Sequence, residues 1–475
     1  MSANVARRGT GAATICAACI VVAGIAARAL LLGVPAHDYD EGVYWQSLLA
    51  MDSGYALYRD IFYSQPPMFL ELTFGFFIMF GKTLAAARVA MLLSSAVTIT
   101  ALALIGKRLA GNTGAFIALT LIAINLSDIK QATTLQAEAP AIAFSTLSVA
   151  LVLIWYESRT VRSMLLLAAL AGATAVAGIL CKLLVAPCLL MFLALVAHKR
   201  DWRAMAAWAA GGGVLAAIAL IPFAGRIHEL YAQIIAFHAP AGDVFAAEES
   251  QKWRSITLAF ATPLGALAVF GVVRTLVQRN LRGGALLLWL CGTILTLGRI
   301  TPLWGDHHFS ALQPPLIALS ALGLSWVLET RTRALVLPAA TLFGLCFLWE
   351  AYGAASLMRN PEPDPSVDWA IVTDLQHYIP AHSWIITDGQ GDAAAAGLET
   401  PPFLVDTSHV RIRTGYLTSA QIIQQGTNER VVAVLFATKR FRRSQLATFR
   451  TWVHRHFSLI ARYPRHAELW IRERK

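Results

Sequence analysis

The sequence predicts a polytopic α-helical membrane protein, with about 11 spans over residues 1–359, closed by a soluble α/β domain over residues 360–475. Three observations carry this expectation. The 475-residue chain is 57% hydrophobic and 14% charged, where a soluble chain carries about 25% charged residues. Apolar runs recur through most of its length, several close to the ~20 residues that a bilayer requires. After about residue 359 the chain turns polar and opens on Asn360-Pro361-Glu362-Pro363-Asp364-Pro365, a linker composition.

The elements follow in order. Arg7 and Arg8 precede an apolar stretch at 13–34 with no small-residue cleavage site, which reads as a retained signal-anchor helix. Further spans are expected near 84–105, 112–127, 137–156, 163–181, 183–197, 204–223, 256–273, 284–300, 309–328 and 334–352, with a tight hairpin around 182–187. Residues 67–81 are apolar but short and contain Glu71, so they are expected to be interfacial or re-entrant. In the polar tail, strands are expected at 383–387, 402–405, 431–436, 457–463 and 468–472, with helices near 366–378, 418–425 and 441–456. That alternation suggests a largely parallel sheet. No GxGxxG or P-loop marks a nucleotide site.

Loop charge sets the orientation. One side carries Arg7, Arg8, Lys107, Arg108, Arg159, Arg162, Lys199, Arg200, Arg203, Arg274, Arg279, Arg282, Arg331 and Arg333; the other carries Arg59, Lys82, Lys130, Arg226, Lys252, Arg254 and Arg299. The Arg-rich side is cytoplasmic. The N-terminus is therefore expected inside and the C-terminal domain outside, in a bacterial cytoplasmic (inner) membrane. The formal charge of +11 lies mainly in short loops between apolar segments, which points to membrane lipids and not to nucleic acid. The six cysteines, Cys16, Cys19, Cys181, Cys188, Cys291 and Cys346, lie in or beside apolar runs without zinc-ligand spacing, so no disulfide framework is expected.

This orientation gathers the unusual polar groups on the outer side. In the outer first loop (35–83), the tetrad Asp38-Tyr39-Asp40-Glu41 follows the first span directly, where acids are costly to desolvate. Asp40 can act as a general base on an acceptor hydroxyl, with Glu41 orienting substrate or ligating a metal. Asp38 or Asp40 can equally cap the amphipathic helix that begins there, but capping explains one acid and not three. Asp128 and Lys130 fall on the same outer side; Glu138 sits where a later span begins and can favour that helix's N-terminus or face the tetrad. Lys182, in an apolar run, is either a partner for a lipid phosphate or a residue snorkelling to the interface. Arg299 suits phosphate oxygens. His307 and His308, in Gly305-Asp306-His307-His308, can contact phosphate or substrate, or a metal. His238 and Asp243 lie in the largest loop between spans. Tyr44 can anchor the interface or stack on a sugar. A divalent cation is the one cofactor this cluster suggests, with Asp40, Glu41 and His307 as candidate ligands. The basic run Lys439, Arg440, Arg442 and Arg443 reads as a solvated face or a headgroup contact.

The stretch HDYDEGVYWQSLLAMDSGYALYRDIFYSQPPMFLEL resembles the first outer loop of the GT-C membrane glycosyltransferases, and most of all the protein O-mannosyltransferases and the aminoarabinose transferases of lipid A. The shared pattern is an acidic pair after the first span, a short aromatic loop and a Pro motif, here Asp40-Glu41 and Gln65-Pro66-Pro67. Looser matches follow in the same order at Glu138, Lys182 and the His-rich loop before Gln313-Pro314-Pro315, so the resemblance spans roughly 15–325. It implies transfer of a sugar from a polyprenyl-phosphate-linked donor to an extracytoplasmic acceptor, a glycan, lipid or protein, usually with inversion, with Asp40 as the catalytic acid. The aminoarabinose enzymes carry a Lys just before the first-loop proline, where this chain has Gln65. This departure moves the donor's phosphate clamp onto Lys182, Arg299 and His307 or His308. The alternative reading is a polar-lipid or sugar transporter or flippase, which midplane charges and inverted repeats would favour. The charges here lie toward one face, and no repeat is visible.

Overall fold

The computed structural model describes residues 18–34, 38–330, 333–359 and 367–472, without the side chains of 247–250 and 306. Arg7, Arg8, Cys16, the start of the first span, Arg331, the linker at 360–365 and the Asp306 side chain lie outside the described residues. Helix α1 (Ala18–Ala29) is followed by α2 (Tyr39–Asp52), α3 (Met68–Met79), α4 (Leu84–Ile124), α5 (Leu126–Thr133), α6 (Glu138–Glu157) and α7 (Val161–Cys181). A 3-10 turn (Leu183–Cys188) then leads to α8 (Leu189–Lys199), α9 (Trp202–Leu220) and α10 (Ile227–Ile234).

Seven of the described helical segments are long and apolar enough to cross a membrane, or eight if one bent pair is a single span. The first of them, α4, is two helices folded back at Ala110–Gly111, in keeping with the two separate runs read from the sequence. Gly111 adopts φ +65°, a left-handed conformation that glycine reaches without steric cost. Close approach follows, since a Cβ on Gly106 would lie 2.3 Å from the Gly114 carbonyl oxygen. The bent pair corrects the expected span at 256–273. Helices Gln251–Phe260 and Pro263–Gln278 meet at 75°, because Pro263 cannot continue a helix and instead starts one, capped by the Thr262 hydroxyl. Helix α3 is short, with 12 residues.

Inside the bundle, small residues set the helix spacing. A Cβ on Gly172 or on Gly211 would lie 2.0 Å from a carbonyl oxygen of the facing helix, that of Trp208 or Ala169. This is the close backbone approach by which helices associate in lipid. Asp128 is an internal tie, not a site group. Its carboxylate accepts from Arg28 Nε and Nη2 at 3.1 and 2.8 Å and from Ser95 Oγ at 2.6 Å. Arg28, fully buried, also donates to the carbonyls of Gly24, Ile122 and Ala123. A buried charge needs such complete pairing.

The C-terminal domain is a four-stranded sheet in the order β1 (Trp384–Thr387), β2 (Val431–Phe436), β4 (Glu468–Arg472), β3 (Phe457–Arg462). Only β1 and β2 are parallel; β2–β4 and β3–β4 are antiparallel, which corrects the largely parallel sheet that was expected. The short β3–β4 connection permits only an antiparallel pair. Residues 402–405, expected as a strand, form a 3-10 turn (Pro402–Leu404), since Pro401 and Pro402 have no N–H for a ladder. Helices Trp369–Tyr378, Ser419–Gly426 and Ala447–His456 match the expected ones.

One hydrophobic cluster joins this domain to the first loop. It runs from Leu48, Ile61 and Phe69 to Ile371, Leu375, Ile385 and Leu469. The covalent boundary near residue 360 is therefore not a boundary in space.

Candidate active site

The N-terminus of α2 separates the acidic tetrad. Asp38 is the N-cap: its Oδ1 accepts from the Glu41 N–H at 2.8 Å and its Oδ2 from the Gln136 side chain. Burial, then the charges of Asp40 and Glu41, hold the Asp38 carboxyl well above the ordinary carboxylate range. Glu41 is 0% exposed. It takes a two-point contact from Arg88 (Nε 2.7 Å, Nη2 2.8 Å) and a third hydrogen bond from the Leu135 N–H at 2.6 Å. Arg88 in turn donates to the carbonyls of Leu32 and Val34, tying α2 to the turn that follows α1. Successive helical residues point about 100° apart, so Asp40 faces elsewhere. It lines a cavity of about 790 Å³. Among the described residues, no hydrogen-bond donor reaches its carboxylate.

The cavity gathers most of the residues singled out from the sequence. Asp40, Tyr44, Gln65, Lys182, His238, Arg299, His307 and His308 all line it. Glu41 does not line it; its carboxylate is engaged by Arg88 and the Leu135 N–H. Glu138 stands behind the wall, 1% exposed, with Oε1 paired to Lys182 Nζ and Oε2 without a partner. Lys182 is the C-cap of α7 in extended conformation (φ −158°, ψ 128°), 8% exposed. Its ammonium is paired with Glu138, and the residue lines the cavity. Tyr44 packs in T-shaped contacts with Phe69 (centroids 4.9 Å) and Tyr63 (6.3 Å). Burial and then the Asp40 charge push its phenol well up, so it stays protonated. His238 Nε2 lies 3.2 Å from the Ser64 carbonyl oxygen, and Gln65 accepts the Tyr58 hydroxyl on its own carbonyl.

The histidines suit an anion better than a cation. Ligand atoms of Glu138, His307 and His308 lie within 4.8 Å of one another. However, Lys182 already engages Glu138, and His308 Nδ1 accepts from the Trp304 N–H at 3.2 Å. That bond leaves the His308 proton on Nε2, a donor and not a metal ligand. Burial, then the Lys182 and His307 charges, push its pKa well below the ordinary value, so the ring is neutral. Asp40 and Glu41 belong to no such ligand cluster among the described residues. The cavity lining thus offers an anion the Lys182 ammonium, the His308 imidazole N–H and the Arg299 guanidinium.

The C-terminal domain completes the cavity with Asp406, Ser408, His409 and Arg440. The sequence carried one sign of this, the basic run at 439–443, which reads as a headgroup contact. Docking is close. Gln46 donates to the Leu398 carbonyl at 3.0 Å and accepts from the Thr400 N–H at 3.1 Å. The Tyr39 hydroxyl accepts from the Thr407 N–H at 2.7 Å. A Cβ on Gly42 would lie 2.5 Å from the Gly391 nitrogen. Gly42→Ala is therefore expected to loosen the domain from α2, at a cost of about 1–3 kcal/mol. Limited proteolysis of the C-terminal domain should quicken and turnover should drop; unchanged proteolysis would contradict this docking.

Residues 64–224 match the family model of dolichyl-phosphate-mannose-protein mannosyltransferases. No curated protein matches the sequence significantly. Among solved structures, ArnT from Cupriavidus metallidurans in the apo state matches at 12% identity and TM-score 0.66, over 97% of this chain and 98% of that one. The same protein bound to undecaprenyl phosphate matches at 12% identity and TM-score 0.68, over 95% and 97%. An oligosaccharyltransferase from Archaeoglobus fulgidus in its apo form matches at 13% identity and TM-score 0.53, over 96% and 74%. At these identities the likeness is one of fold.

Proposed function

We propose that this chain, a multi-pass membrane protein with the GT-C glycosyltransferase fold, moves a sugar from a polyprenyl-phosphate-linked donor to an acceptor hydroxyl on the extracytoplasmic face. The observation that carries the reading is one cavity lined by both a free carboxylate, Asp40, and a buried ammonium, Lys182. Large apolar side chains exposed at its rim, Leu183, Ile235 and Trp304, suit entry of a prenyl chain. The likeness to a protein bound to undecaprenyl phosphate supports a lipid-phosphate donor. The loop-charge asymmetry supports a cytoplasmic N-terminus and an extracytoplasmic C-terminal domain in a bacterial inner membrane.

In this mechanism Asp40 accepts the proton of the acceptor hydroxyl as its oxygen attacks the anomeric carbon. The bond from that carbon to the phosphate oxygen breaks on the opposite side, which inverts the centre. The departing polyprenyl phosphate gains negative charge, met by Lys182, Arg299 and the His308 Nε2–H. Fixed donors aimed at developing charge are often the largest catalytic term. Glu138 holds Lys182 in place through their ion pair.

The direct test is transfer from a panel of radiolabelled polyprenyl-phosphate sugars by the purified full chain in nanodiscs. No transfer from any member, to any glycan, lipid or peptide acceptor, would refute the reading. Lys182→Ala is expected to weaken undecaprenyl phosphate binding by about 10–100-fold, the weight of a charged hydrogen bond. Because that change strands Glu138, the Lys182→Met, Glu138→Gln pair should bind the lipid phosphate as weakly while folding normally. An unchanged affinity in both would remove Lys182 from the donor site.

A further inference from the structure

The wall that the C-terminal domain supplies has chemistry of its own. With the donor's prenyl chain placed at the apolar rim, the side chains that this domain adds to the cavity lining beside Asp40 include Asp406, His409 and Arg440. Two of these have donor capacity to spare. The Arg440 guanidinium lies 3.5 Å from the centroid of the Tyr39 ring, directly before Asp40 in sequence. One Nη1 contact goes to Thr438 Oγ1 at 3.3 Å, and Nε is buried with no hydrogen-bond partner. His409 Nδ1 accepts from Arg443 Nε at 3.0 Å, so the ring proton sits on Nε2. Burial and the charges of Arg440, Arg443 and Arg413 push the His409 pKa down to about 4, so the ring is a neutral donor at pH 7. Asp406 is already engaged: its carboxylate accepts from the Ser408 N–H at 2.7 Å and lies in the field of Arg411.

We propose that this wall is the acceptor subsite, and that it takes an acceptor bearing an anionic group, phosphate or carboxylate, beside the hydroxyl that is glycosylated. Arg440 and His409 hold the anion, and a planar guanidinium fork suits either oxyanion. Because Arg440 rests on Tyr39, the bound anion sits next to the residue that presents Asp40. The inference rests on Asp40 being the base of a sugar transfer, as proposed above.

Binding separates the two claims. The full chain in nanodiscs of neutral lipid, saturated with undecaprenyl phosphate to fill the Lys182 end, is titrated with hexyl glucoside, its 6-phosphate and hexyl glucuronide. The charged probes should bind at least about tenfold more tightly than the neutral one, and the stronger of the two identifies the anion. Arg440→Gln and His409→Gln should each reduce that preference, and the double variant should abolish it. Arg440→Lys, which keeps charge without the fork, should retain part of it and also reports on folding. Equal binding of all three probes, or a preference that survives the double variant, overturns the subsite. So does a preference that disappears only in Lys182→Gln, which would put the anion at the donor end. A preference that behaves as expected in a protein whose Asp40→Asn variant still transfers sugar would overturn the base and leave the subsite standing.

Discussion

Asp40→Asn is expected to lower turnover by about 10²–10⁴-fold, the usual weight of a positioned general base, with the protein folded and its lipid affinity intact. The expectation comes from what Asp40 lacks. Asp38 already caps α2 and Glu41 already holds Arg88. Asp40 has neither task, and its carboxylate stands in the cavity without a hydrogen bond from any described residue. Asparagine keeps its shape and cannot take a proton. Transfer of labelled sugar, measured beside undecaprenyl phosphate binding, tests both halves. Near-normal turnover would remove Asp40 as the base. Lost turnover together with lost lipid binding would point to a collapsed site.

Glu41→Ala, one residue on, is expected to act on the fold and not on the chemistry. It removes the carboxylate that pairs with the fully buried Arg88 and accepts from the Leu135 N–H. Stripping one partner from such a pair costs about 3–5 kcal/mol, a large part of the 5–15 kcal/mol that typically holds a domain together. The yield of monodisperse protein after extraction should fall sharply and its melting temperature with it. Replacing both residues by apolar ones of similar volume, Glu41→Leu with Arg88→Met, should recover much of the loss. A Glu41→Ala protein that melts like the parent but transfers no sugar would return Glu41 to the chemistry.

The contrast between these neighbours shows what was readable. That an acidic cluster lies at a membrane lip was plain from four consecutive residues, and so was the cost of putting it there. Which acid does what was not. The answer depends on Arg88, 47 positions away in sequence, and on the angle between adjacent helical side chains. Lys182 was legible as an anomaly in an apolar run. Its pairing with Glu138 was not, because nothing local ties the end of α7 to the start of α6. His307 and His308 look alike in sequence and become distinct only through the Trp304 N–H on His308. The tail's helices and four of its strands were readable from periodicity. Strand order and direction were not, since they follow from connections and packing.

Alone, the sequence determined that this is a membrane protein of many spans, where its first loop carries a cluster of acids, and that a polar α/β unit follows the bundle. Each of these depends on a free energy that adds up residue by residue: transfer of a side chain into lipid, or the burial period of a helix or strand. Only the tertiary structure decided that Asp40 faces a cavity while Glu41 braces the bundle, and that Arg440, four hundred residues later, lines the same cavity and rests on Tyr39. Those relations are set by packing between distant segments, through contacts such as Gly42 on Gly391 and Gln46 on Leu398 and Thr400. Local composition carries no term for them.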